Sequence, residues 1–75
     1  MFSKDIFSKR LFELRNKSGA TQAAIAAAVG INRTTITLME RGERSGSIEV
    51  LCALADYFDV SLDYLVGRSD DPVRR

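Results

Sequence analysis

Between residues 32 and 41 the chain reads Asn-Arg-Thr-Thr-Ile-Thr-Leu-Met-Glu-Arg, and the side chains able to do chemistry there fall on one side of a helix. At about 100° per residue, with Ile36 taken as the inward direction, Thr34 and Leu38 lie nearly opposite it, Thr37 and Arg41 lie on the outer half, and Arg33 sits at the exposed start. That face carries no carboxylate. In a DNA major groove an arginine donates to guanine O6 and N7, threonine hydroxyls bond base edges, and Thr or Leu methyl groups touch the thymine methyl. An ordinary solvated helix with several threonines shows the same pattern, and spacing alone does not separate the two.

Two short helices joined by a tight turn must position this face. Thr21 is an N-cap, four of the six residues after it are Ala, and Ile25, Ala26 and Val29 share one face. Gly30 supplies the positive φ that ends a helix, and Asn32 caps the next, in which Ile36 and Met39 point inward until Gly42 stops it. Helix, glycine turn, helix is the helix-turn-helix plan.

The chain's 75 residues support one domain with a modest core, and no stretch reaches the roughly 20 apolar residues of a membrane span. Residues 1–15 show no signal-peptide pattern, so a soluble cytoplasmic protein is expected. Cys52 is alone and there is no His, which excludes an internal disulfide and the usual zinc ligands. Cys52 reads as a small semi-buried apolar residue, and secondarily as a reactive thiol. Without His, and with Asp70-Asp71 in a polar stretch and the other acids scattered, no catalytic constellation is visible, so no enzyme and no cofactor are expected.

The net charge of +1 hides a division. Residues 1–46 carry eight Lys/Arg against four Asp/Glu, or +4, and residues 47–75 carry three against six, or −3. A basic half holding the helix-turn-helix, backed by an acidic half that DNA repels, suits oriented docking on DNA.

The rest of the chain reads as core supply. A first helix over 3–17 places Phe7, Leu11 and Leu14 in a stripe with Ile6 at its border, and Phe12 about 140° from Phe7 on the far side, as a plain exposed aromatic or a contact for a partner chain. Arg15 borders that stripe, and Glu40 lies about 40° from Ile36 on the inner side of its helix, so the two are expected to pair across helices. Glu43 to Gly46 form a loop. Ser47 caps a fourth helix with Ile48, Leu51, Leu54, Ala55 and Phe58 inward, and Ser61 caps a short fifth with Leu62, Leu65 and Val66, closed by Gly67. The tail from Arg68 to Arg75 is polar and aperiodic, and is expected to be mobile or to order only against a partner. No strand signal appears, so the expectation is an all-α bundle of five helices over 1–67, followed by a tail over 68–75.

With these residues in place the chain resembles the Cro and lambda-repressor type of helix-turn-helix protein from about Phe7 to Gly67. The resemblance is carried by Arg10-Leu11, Leu14-Arg15, Gly19, Thr21-Gln22, Ile25-Ala26, Gly30-Ile31, Thr35-Ile36, Glu40, Gly42, Ser47-Ile48, Leu51, Leu54-Ala55, Phe58 and Val60-Ser61-Leu62-Asp63-Tyr64-Leu65 with Gly67. It implies a small bacterial or phage-encoded regulator, a repressor by type, that binds double-stranded DNA as a homodimer on a pseudo-palindromic operator. Arg33, Thr34, Thr37 and Leu38 stand where the family's base readers stand. Gln22 looks like its phosphate-clamping glutamine, with Asn32, Thr35, Arg41 and Arg44 as further backbone contacts. Arg15 and Glu40 match an ion pair of some phage repressors, and dimerisation through the last helix points to Leu62 and Val66. Gly46 in place of a common Pro loosens the loop before the fourth helix, Met39 replaces an aromatic, and Leu38 replaces polar readers. The competing readings are an antitoxin-like module that holds a protein partner, and the DNA-binding domain of a longer repressor.

Overall fold

Ser3, Thr21, Asn32, Ser47 and Ser61 each accept, on a side-chain oxygen, the N–H three residues further on, and each opens a helix. In the computed structural model, which describes residues 2–74, these are α1 Lys4–Ser18, α2 Gln22–Val29, α3 Arg33–Glu40, α4 Ile48–Phe58 and α5 Leu62–Leu65. Each cap satisfies one of the donors that a helix start leaves without an internal partner. Met1 and Arg75, the outer ends of the expected domain and tail, lie outside the described residues. All regular structure among the described residues is helical, as the absence of alternating apolar runs predicts.

The helices close on one core. Phe7, Leu11, Ile25, Ile36, Met39, Leu54 and Leu65 are fully buried, and Leu14, Val29, Val50, Phe58 and Leu62 pack against them partly covered. α3 packs against both α1 and α2, and α4 spans from α2 to α5. The turn between α2 and α3 is tight because Gly30 adopts φ +80°, which lets the Ile31 N–H reach the Ala26 carbonyl at 2.9 Å.

The structure corrects three expectations. Ile48 is 58% exposed instead of buried. It is the first residue of α4, and on the other flank Val50 packs beside Met39 across Gly46. A Cβ on Gly46 would stand 2.9 Å from Met39 Cε and 3.0 Å from Val50 Cγ1, so this glycine permits a close approach. Cys52, one turn beyond Ile48 on the same face, is likewise exposed.

The tail, expected to be mobile or to order only against a partner, lies along the fold of its own chain. Arg10 Nη1 donates to the Tyr64 carbonyl and, at 2.7 Å, to that of Ser69, while Nη2 pairs with Asp70 at 2.8 Å. The guanidinium lies over the Tyr64 ring, 4.1 Å from its centroid. Ser61 N–H bonds the Pro72 carbonyl at 3.0 Å, and Arg74 pairs with Asp56 at 2.6 Å. Polarity and missing periodicity describe a segment without its own helix, and here the partners come from α1, α4 and α5.

Candidate nucleic-acid interface

α3 is held at both ends by its own backbone chemistry. At its start Asn32 Oδ1 accepts from the Thr35 N–H at 2.8 Å and from the Thr35 hydroxyl at 2.9 Å. At its end Gly42, at φ +75°, returns its N–H to Met39 and that of Glu43 to Leu38, a closure that ties up the last carbonyls. Asn32 and Thr35 therefore build the cap of the helix that the sequence expects them to steady on a DNA backbone.

Between those ends one polar network fixes α3 against α1 and α2. Arg15 meets Glu40 twice, Nε to Oε2 at 2.5 Å and Nη2 to Oε1 at 3.0 Å. The side chains are 16% and 5% exposed, so the pair is half-buried, with Glu40 the more covered partner. The hydrogen bond to Glu40 raises the Arg15 proton affinity above its ordinary value; burial opposes this, and the Glu40 charge adds to it. The same Glu40 oxygen accepts from Gln22 Nε2 at 3.0 Å, and Gln22 Oε1 accepts from the Thr37 hydroxyl at 2.9 Å. The expected pair is thus the inner half of a longer chain of contacts. Angular counting reaches Arg15 and Glu40 but not Gln22 and Thr37, because their meeting depends on how α2 crosses α3.

The expected base readers divide by exposure. Arg33 and Thr34 are exposed, and the Arg33 guanidinium meets no carboxylate among the described residues. Thr37 is half-buried beside Gln22, and Leu38 is half-buried near the point where the chain folds back after Gly42. Of the loop arginines, Arg44 is exposed and Arg41 is paired with Glu43 at 2.7 Å on an open surface. Phe12 is 47% exposed and has the Arg15 guanidinium 5.6 Å from its ring centre. Leu62 keeps partial exposure on α5, whereas Val66 is 6% exposed within the core of its own chain, which leaves little of it for a partner.

No group of three or more His, Cys, Asp or Glu among the described residues is placed to hold a metal ion, and no helix among them is long and apolar enough to cross a membrane.

The geometry matches known proteins closely. A sequence model of the family described as helix-turn-helix matches residues 11–65. The HTH-type transcriptional regulator ImmR of Bacillus subtilis is 36% identical over 62 residues, covering 83% of this chain and 49% of ImmR. The phage CTXphi transcriptional repressor RstR of Vibrio cholerae is 37% identical over 60 residues, covering 80% of this chain and 54% of RstR. The chain therefore spans about half the length of these relatives. Among solved structures, the P22 c2 repressor in complex with a synthetic operator superposes with a TM-score of 0.81 at 31% identity, covering 85% of this chain and 97% of that one. With its residues 11–65 matched and its fold shared with that repressor, the chain belongs to the Cro/C1-type helix-turn-helix family of transcriptional regulators.

Proposed function

We propose that this chain is a sequence-specific binder of double-stranded DNA, a small transcriptional repressor whose α3 enters the major groove. The observation that carries the reading is the rigid mounting of α3: a face of Arg33, Thr34, Thr37 and Leu38, free of carboxylates, is fixed to α1 and α2 by the Arg15–Glu40–Gln22–Thr37 contacts. Such pre-organisation lets a few side chains discriminate bases without a prior ordering cost. Gln22 is the first helical residue of α2, so its N–H is one of the free donors of a helix start and can meet a phosphate. Arg44 and, after leaving Glu43, Arg41 add phosphate contacts that set register; an exposed pair such as Arg41–Glu43 costs little to open.

The molecule measures 27 × 22 × 21 Å, so one copy reaches one groove face. Reading successive major grooves about 34 Å apart takes two copies, hence a homodimer on a pseudo-palindrome. Its contact is assigned to α5 around Leu62. The P22 c2 repressor, seen with its synthetic operator, supports the reading by analogy of fold. A second reading, an antitoxin-like module that holds another protein, is favoured by the exposure of Phe12 and Ile48.

Selection of bound duplexes from a random pool at about 150 mM salt separates them, because that salt suppresses purely electrostatic binding. The expected result is a two-fold symmetric site with half-sites one helical turn apart. Folded protein that enriches no site would reject the DNA reading in favour of the interaction module.

A further inference from the structure

The hydrogen bonds around Gln22 have a forced direction, and it ends on a residue facing the groove. Both Glu40 oxygens accept from Arg15, so the Gln22 group 3.0 Å from Oε1 is the amide NH2, a further donor. A planar amide with its nitrogen toward Glu40 turns its carbonyl oxygen the other way, to Thr37 Oγ1 at 2.9 Å. That oxygen also only accepts. The remaining neighbour of the Thr37 hydroxyl is the Arg33 carbonyl at 3.1 Å, a third acceptor. A threonine hydroxyl has one proton, and both of its partners draw that proton inward. What the Thr37 hydroxyl has left for any further partner is lone pairs.

We propose that Thr37 is an acceptor-only specificity residue, which selects a base carrying an exocyclic amine, adenine or cytosine, on the strand it faces. Near the middle of the major-groove edge, adenine N6 and cytosine N4 donate while guanine O6 and thymine O4 accept. Arg33, one turn earlier on the same helix, has only donors and demands the opposite, an acceptor edge such as guanine. The two readers therefore impose opposite polarity on neighbouring positions, and Arg15, which touches no base in this account, sets the sign at Thr37 through Glu40 and Gln22. The inference rests on the DNA-binding reading above.

The test compares duplexes selected by the wild-type chain, Thr37→Val and Thr37→Ser, each checked for folding by its melting curve. Valine keeps the shape without the hydroxyl, and serine keeps the hydroxyl without the methyl. The expected result is one half-site position enriched in A or C by about fivefold, the worth of one hydrogen bond, retained by Thr37→Ser and lost only there by Thr37→Val. Guanine or thymine at the position that Thr37→Val relaxes would overturn the inference, as would a preference that survives in valine and vanishes in serine, or a Thr37→Val site identical to wild type. Those results leave a selected site standing and reject the polarity alone. Failure of folded wild-type protein to select any site rejects the DNA reading, and the inference with it.

Discussion

Arg33, the first residue of α3, and Arg41, the residue that caps its end, lie two turns apart and meet different surroundings: Arg41 is engaged by Glu43 at 2.7 Å, and the Arg33 guanidinium has no carboxylate beside it among the described residues. An unpaired arginine at a helix start keeps its full fork of donors for a base edge, so specificity is assigned to Arg33 and register to the loop arginines. Replacing Arg33 by Ala is expected to relax one half-site position at a cost of about 1–3 kcal/mol, read by comparing affinities for the selected site and its single-base variants. Unchanged discrimination would remove Arg33 from the readers. Arg44→Ala is expected to weaken binding on every duplex alike and to flatten the logarithmic salt dependence by about one unit; an unaltered slope would contradict a phosphate contact.

At the scale of elements, α3 owes its position to a half-buried ion pair and not to apolar packing alone. With the Glu40 side chain at 5% exposure, loss of Arg15 strands a carboxylate that is largely shielded from water. Arg15→Met is expected to destabilise the fold by roughly 3–5 kcal/mol in chemical denaturation, whereas the double replacement by Met at 15 and 40 recovers much of that loss. A single-variant loss under about 1 kcal/mol would put the pair in the class of exposed bridges. This pairing was legible from angular position because both residues border apolar stripes. Ile48 misled the same count: helical phase reports direction around an axis but not where along it the neighbouring elements end, and Ile48, the first residue of α4, stands outside the core that Val50 and Leu51 reach. The Gln22–Thr37 contact escaped for a related reason, since a helix wheel holds no information on how two helices cross.

For the whole molecule, the informative difference concerns the tail. Its composition gives it no periodicity of its own, yet Arg10, buried to 15% exposure beneath it, gathers the Tyr64 and Ser69 carbonyls and Asp70 in one guanidinium. Arg10 is part of the family pattern, but nothing in a linear reading says what it holds, because its partners lie more than fifty residues away. Arg10→Ala is expected to cost about 1–3 kcal/mol, since the Ser69 carbonyl loses its partner and the Tyr64 carbonyl keeps only the Gly67 N–H, and to speed amide exchange in residues 69–73 well beyond that in α3; equal protection in both proteins would show the tail to be held by its other contacts. Four of the five caps, a shared core and the glycine turn were legible because each is local or periodic, whereas Ser3, read as the first residue of its helix, is the cap of α1; the polarised charge of +4 against −3 follows directly from residue order.

The central claim is that α3 distinguishes one DNA sequence from another. It is tested most directly by measuring, at about 150 mM salt, the affinity of the chain for its selected site and for a scrambled duplex of the same length and composition. Binding to the selected site is expected to be at least about a thousandfold tighter, within the range of specific regulators, with two copies bound per duplex. Equal affinities with the same salt slope would show a chain that binds phosphates alone, and would contradict the claim.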